Sequence, residues 1–210
     1  MKAKDIKTLI TSGTIILAGS LYFIFSDKPN ESVQQQMDSK IEQTSSVAIS
    51  TQYAEKATGK SLQQVKLLSV NDGDTFKVEM GGEKKSVRLL MIDTPEMNYD
   101  KGQPMAFAEE AKAYTEKLLK EAKTIEVLLD KGPSEDNYGR LLAYVYIDGK
   151  MLQESLLETG YGAIRYVNEP NNSLEEELRE IQAKAEKAKV GIWSIEGYFE
   201  NNRFQDVSGK

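Results

Sequence analysis

Arg88-Leu89-Leu90-Met91-Ile92-Asp93-Thr94-Pro95-Glu96 is the stretch around which the chain is organised. Its apolar middle, residues 89–92, predicts a buried strand with Arg88 at its start and Asp93 and Glu96 at its finish. Pro95 has no N–H and fixes its own φ, so strand pairing must stop there. Proline also biases Thr94 away from helix, which makes the turn extended. Two carboxylates three residues apart around such a turn can face one pocket. A core strand with solvated charged ends fits the same nine residues equally well, so the neighbouring elements must decide.

Upstream, residues 65–70 and 75–80 predict two strands on either side of Asn71-Asp72-Gly73-Asp74. Gly81-Gly82 then supplies the positive φ of a tight hairpin into a third strand over 86–92. Three consecutive antiparallel strands make a meander. Downstream, residues 97–104 form a polar loop, a candidate lid. Phe107, Ala111, Tyr114, Leu118 and Ala122 follow at helical spacing. Residues 124–129 and 141–147 predict a fourth and a fifth strand, and Asp148-Gly149 a turn. A short helix over 152–159 is closed by Gly160. Ser173 and Glu176 predict a capping box for a last helix that buries Leu174, Leu178, Ile181 and Ala185. Trp193 anchors the tail, and fraying is expected beyond Tyr198. A meander, a helix and a returning hairpin is the ordering of an OB-fold. The expected class is therefore α+β: a five-stranded OB-fold β-barrel with three helices, preceded by an N-terminal hydrophobic helix and a disordered linker.

Composition narrows the chemistry. The 210 residues contain no Cys and no His. That excludes disulfides, thiolate and imidazole metal ligands, the Ser-His-Asp triad and a histidine base. Hydrolytic chemistry must run on Asp, Glu, Arg, Lys and Tyr, with any metal a hard cation held by oxygen. The net charge of −6 argues against a general phosphate-binding surface, so a nucleic-acid partner would need a local basic cleft or a bound metal ion.

Residues 1–25 carry Lys2, Lys4 and Lys7 ahead of an apolar run over 9–25, which predicts a signal or membrane anchor with the rest of the chain outside. The small-residue site at Ala18-Gly19-Ser20 lies inside the apolar run, which favours a retained anchor. Residues 26–61 are too polar to offset their ordering entropy and predict a flexible linker. The folded domain is expected over 62–197 and a tail over 198–210.

Four features then converge. Asp74 opens the second strand, Asp93 and Glu96 end the third, Arg88 lies on the third, and Arg140 enters the fifth. If strands two and three are neighbours, Asp74 and Asp93 approach and repel unless a cation lies between them. Oxygen ligands alone favour Ca²⁺ or Mg²⁺. Two arginines beside such a cation suit a phosphate that gains charge in its transition state. Glu96 can orient or deprotonate a water.

At these positions the sequence closely resembles the staphylococcal nuclease (thermonuclease) family. The likeness rests on Asp72-Gly73-Asp74-Thr75, Arg88-Leu89-Leu90, Ile92-Asp93-Thr94-Pro95-Glu96, Asp130-Lys131-Gly132, Tyr138-Gly139-Arg140, Asp148-Gly149-Lys150, Pro170-Asn171-Asn172 and Ile192-Trp193-Ser194, in order over about residues 63–195. The resemblance implies an extracellular, Ca²⁺-dependent endonuclease that cuts DNA and RNA, preferring single-stranded or locally melted substrate. The expected ends are 3′-phosphate and 5′-hydroxyl, and the expected state is a monomer with no protein partner. It implies that Asp74 and Asp93 hold calcium with the Thr94 carbonyl, that Glu96 is the base, and that Arg88 and Arg140 clamp the phosphate. Tyr138 and Tyr166 are the implied substrate contacts. Asn137 and Asn168 stand where the family often has a lysine and a second tyrosine, so weaker nucleotide binding is expected with the chemistry kept. The competing expectation is an OB-fold module that binds single-stranded nucleic acid without cutting it. That reading predicts loss of the acids or arginines.

Overall fold

A computed structural model describes residues 48–98 and 102–207. The segment expected at 1–25, linker residues 26–47 and the centre of the 97–104 loop lie outside the described residues. Among the described residues no helix is long and apolar enough to cross a membrane.

β1 (Gln63–Val70), β2 (Thr75–Met80) and β3 (Glu83–Leu89) form the expected antiparallel meander. Gly81 and Gly82 turn between β2 and β3 with φ of +60° and +85°, which side chains with a Cβ adopt only under strain. A register shift between Leu67 and Ser69 bends β1. Its first half therefore pairs with β5 (Ile125–Leu128) and its second half with β2. β6 (Leu141–Ile147) runs antiparallel to β5 and parallel to β3, which closes five strands into a barrel. β7 (Lys150–Met151) extends β6 as a short hairpin. Phe76, Val78, Val87, Leu89, Val127, Ala143 and Val145 are buried in the core. Burying one large apolar side chain of this kind contributes about 1.5–3 kcal/mol. Tyr144 and Tyr146 are also fully buried, so β6 is covered on both faces. Each tyrosine hydroxyl finds an acceptor, Asp130 Oδ2 at 2.8 Å and the Ile49 carbonyl at 3.1 Å.

The strand over residues 86–92 is broken. β3 stops at Leu89, and Met91 takes a left-handed φ of +58°. Ile92–Asp93 is a separate strand, β4, paired with β8 (Ala163–Ile164). The physical reason is the ladder: Arg88 pairs with Thr75, the first residue of β2, so beyond it β3 has run out of that partner. The turn at Leu90 and Met91 carries Asp93 back over the same end of the barrel.

Four helices are present among the described residues, one more than expected: α1 (Thr51–Thr58), α2 (Ala108–Glu121), α3 (Leu152–Glu158) and α4 (Glu175–Ala188). α1 lies inside the stretch assigned to the flexible linker, so the linker assignment fails for that part. Ser50 caps it by accepting from the Tyr53 N–H at 3.2 Å, and Gly59 closes it with φ +69°. Its buried face is only Ala54 and Thr58, too small a hydrophobic signal to stand out in sequence. In α2 the buried stripe is Ala108, Ala111, Thr115 and Leu119, with Tyr114 and Leu118 half-buried at its flank. The capping box at Ser173 does not form. Leu174 is the N-cap of α4, and the Ser173 hydroxyl donates instead to buried Asp130 at 2.6 Å. The tail does not fray at Tyr198. β9 (Phe199–Glu200) and β10 (Arg203–Phe204) form a hairpin. Trp193 holds it edge-on to Phe199 at 5.7 Å, and Tyr198 is buried beneath it.

The docking of α1 generates a pH prediction. Glu154 is 2% exposed and accepts from the Ile49 N–H at 3.3 Å. Burial raises its pKa, more than the Ile49 N–H lowers it. The folded chain therefore holds this proton more tightly than the unfolded chain, and stability falls as pH rises through the folded pKa. Relative to Glu154→Gln, which keeps the acceptor without the charge, the wild type should be less stable at about pH 7 than at about pH 4, measured by urea unfolding. A pH-independent difference would remove the buried charge from this account.

Candidate active site

The site is assembled at the β2–β3 end of the barrel. The turn over 71–74 presents Asp74, 2% exposed, beside the last residues of β3. Gly73 is required by close approach: a Cβ there would lie 2.8 Å from the Thr94 side chain. Asp74 Oδ1 accepts from the Thr75 hydroxyl at 2.9 Å and takes an ion pair from Arg88 Nη1. Its Oδ2 accepts from the Thr94 N–H at 2.8 Å and the Thr94 hydroxyl at 3.2 Å. Asp93, 3% exposed, receives Arg88 Nη2 on Oδ1 at 2.7 Å and Arg165 Nη1 on Oδ2 at 2.8 Å. Arg88 Nη2 also donates to the Ile92 carbonyl at 3.1 Å.

The two acids thus share Arg88, but Asp93 arrives through the turn after β3 and not through the expected pairing of strands two and three. The cation found between them is the Arg88 guanidinium. Burial opposes its charge, but Asp74 and Asp93 more than offset that and hold its pKa above the ordinary arginine value.

Arg88, Asp93, Glu96, Tyr138, Arg140 and Tyr166 line one open cleft of about 410 Å³. Asp74 and Thr94 do not line it; Asp74 is joined to it through its ion pair with Arg88, and Thr94 through its bonds to Asp74. Burial raises the Glu96 pKa, and Asp74 and Asp93 add to the rise against Arg88 and Arg165. Arg140 enters from the loop before β6. Its Nε and Nη2 both reach Asp136 Oδ2 at 2.7 Å. Asp136 Oδ1 meanwhile accepts the Tyr138 and Arg140 N–H groups, each at 2.9 Å. Burial alone would raise the Asp136 carboxyl, but these bonds hold it below its usual value. Tyr138 is 85% exposed with the Arg140 guanidinium 5.4 Å from its ring centre. Six of the eight residues singled out from the sequence therefore line one cleft, and Asp74 and Thr94 adjoin it behind Arg88.

Two further residues belong to this place and were not singled out. The sequence places Asp72 in the turn before the second strand and in the Asp72-Gly73-Asp74-Thr75 motif, without a role of its own. Its carboxyl is pushed up to about 7, first by burial and then by Asp74 and Glu96, so it is part of the acidic group. Arg165 carries no motif. Only the pairing of β4 with β8 brings it to Asp93.

The donor set fits a hard cation. Asp74, Asp93 and the Thr94 carbonyl offer oxygen only; the carboxyls of Asp72 and Glu96 are raised first by burial and then by the neighbouring acids. Among the described residues, no three acidic side chains are grouped as a ready-made metal cage, so remaining ligands would have to be water.

A closed OB-type barrel with an acid-and-guanidinium cleft at the end of its meander defines the class of protein. The chain belongs to the staphylococcal nuclease family: residues 86–195 match the family described as Staphylococcal nuclease homologue. Among its relatives, endonuclease YncB of Bacillus subtilis (strain 168) is 38% identical over 208 residues, covering 94% of this chain and 97% of that one. An uncharacterized protein of Bacillus anthracis is 38% identical over 177 residues, covering 84% and 82%. The thermonuclease of Staphylococcus hyicus is 33% identical over 132 residues, covering 63% and 76%.

Removing one member of a buried charge group leaves the others uncompensated. Arg88→Met strips two nearly buried carboxylates of their shared partner and should cost about 3–5 kcal/mol in metal-free protein. Denaturant unfolding with chelator present checks this. A loss within the ordinary surface range, about 0.5 kcal/mol, would mean that Arg88 is dispensable to the folded site.

Proposed function

We propose that this chain is a calcium-dependent endonuclease that hydrolyses phosphodiester bonds of DNA and RNA, leaving 3′-phosphate and 5′-hydroxyl ends. The observation that carries the reading is the single cleft lined by Arg88, Asp93, Glu96 and Arg140, with Asp74 ion-paired to Arg88. The relatives named endonuclease YncB, SPbeta prophage-derived endonuclease YokF and thermonuclease support it.

Asp74, Asp93 and the Thr94 carbonyl would hold the calcium ion, which supplies charge stabilisation to the phosphate oxygens when bound. Arg140 presents a guanidinium already oriented by Asp136, so little ordering is lost when it meets a phosphate. Arg88 faces the same phosphate from the floor of the cleft. Both cations favour the trigonal-bipyramidal arrangement, in which the equatorial oxygens carry more negative charge than in the diester. Glu96 orients the attacking water and takes its proton, and its raised pKa makes it a better base. The water oxygen bonds to phosphorus as the in-line P–O5′ bond breaks, and the 5′-oxygen takes a proton from solvent water and leaves as the hydroxyl. Tyr138 and Tyr166 flank the nucleotide with exposed rings.

The enzyme acts as a monomer outside the cell, secreted or held at the membrane by residues 1–25, on single-stranded or locally melted substrate. The lysines at 2, 4 and 7 ahead of the apolar run over 9–25 support this location.

Incubation with plasmid and with RNA, in Ca²⁺, in Mg²⁺ and in chelator, should give cutting with Ca²⁺ alone. Retarded but uncut nucleic acid would replace this reading with the binding module. Arg140→Lys should lower the rate by about 10²–10³, because a point charge does not reproduce the fork. Glu96→Gln should keep the fold and lower the rate comparably, measured as initial rates alongside thermal melts. Near-full turnover in either variant would overturn that residue's role.

A further inference from the structure

Next to the cleft lies a second groove of about 470 Å³, which shares Tyr166 and Asn168 with it. The geometry points to this groove as a flanking phosphate subsite, in which Arg165, Arg179 and Arg203 take the backbone of a nucleic-acid strand beyond the scissile phosphate. It rests on the nuclease reading above and makes that enzyme's preferred substrate a strand of several nucleotides.

No acidic side chain lines the groove, in a chain whose net charge is −6. Its three arginines come from three elements: the exit of β8, the middle of α4 and the start of β10. They converge through tertiary folding and do not form a charge run on one helix face. Asn168, Asn201 and Asn202 add neutral amide groups between them. Phosphate recognition uses such groups, cations for the charge and amides for position.

The arginines can be engaged. Arg203 forms no ion pair among the described residues, although Glu200 pairs with it across the hairpin. Arg179 Nε meets Glu175 at 2.7 Å, with 54% of its side chain exposed. A surface pair of that kind is weak and yields readily to a competing phosphate. Arg165 joins the two sites: one nitrogen holds Asp93, and its guanidinium lies 4.4 Å from the centre of the Tyr166 ring. Arg88 lies 5.6 Å from the same ring centre. Tyr166 is 54% exposed, so a base stacked on it would place its neighbouring phosphates between the two arginine groups.

Asn201, Asn202 and Arg203 lie beyond residue 195, where the family match ends. The C-terminal hairpin contributes this margin of the groove. Its aromatic base, with Phe199 and Phe204 5.0 Å apart at ring centres, fixes it to the domain.

The test uses the full chain. Anisotropy of a labelled single-stranded oligonucleotide of about ten nucleotides is measured with chelator present, across a salt series. kcat/KM is measured with Ca²⁺ on that oligonucleotide and on a dinucleotide. Arg203→Glu should weaken oligonucleotide binding about tenfold and reduce the salt slope by about one or more. The loss of kcat/KM should appear in KM and be larger for the oligonucleotide than for the dinucleotide. Arg179→Glu, on a different element, should repeat the pattern, so an unfolded hairpin would not explain it. Lys66→Glu on β1, which lines neither groove, should change binding less than about twofold and so measures the general field. Equal effects of Arg203→Glu and Lys66→Glu, or equal losses on both substrates, would overturn the subsite. A wild type that cuts neither substrate would overturn the nuclease reading, while the anisotropy comparison still decides the groove.

Discussion

A guanidinium buried between two carboxylates is the constraint on which the rest depends. Arg88, Asp74 and Asp93 are each almost wholly removed from water. A single charge moved into such a place costs several kcal/mol, and only close partners offset it. The group is therefore tolerable only with every member in place. Asp74 is fixed by β2, Arg88 by β3 and Asp93 by β4, so a local error in any of those three elements would strand a charge. Thr94 then ties the turn to Asp74 with both its N–H and its hydroxyl.

Barrel closure is what makes that geometry rigid. The parallel pairing of β3 with β6 places Arg88 opposite Leu142, two residues beyond Arg140. The two arginines expected to act together thus reach one cleft from adjacent strands, although 52 positions separate their numbers. Asp136 completes this by using both its oxygens on the loop that carries Arg140. A second buried acid performs the same service behind the cleft: Asp130 collects Tyr144, Lys131 and Ser173 and so joins the barrel to the segment before α4.

Around that core the barrel is flanked by two further elements. α1 packs at the N-terminal side through Ile49, Ala54 and Glu154, and the C-terminal hairpin packs on Trp193 and Tyr198. Each relies on one specific polar or aromatic contact, which is why neither shows up as a strong hydrophobic period. The hairpin also changes the electrostatics, since it brings a cation and two amides to the margin of a cleft in an acidic protein.

Most of the barrel was legible in the sequence because its signals are local. Alternation set β2, the glycine pair set the hairpin, and the continuous apolar run set β6, whose ends match the expected ones. Asp74, Arg88, Asp93, Glu96 and Arg140 stood out only in combination, because several separated strand ends carry matching charges in an order that resembles one family. The absence of Cys and His fixed the available chemistry outright. What the sequence left undecided were the features set by partners far along the chain. The early end of β3 follows from where β2 begins. Ser173 turns to Asp130, where both its N–H and its hydroxyl reach the buried carboxylate, in place of a local helix cap. The placement of Arg88 between the acids, the recruitment of Asp72 and Arg165, and the joining of two grooves at Tyr166 all arise from contacts between separate elements. Residue types and their spacing determined which groups were available; only the closed barrel decided which of them share a charge.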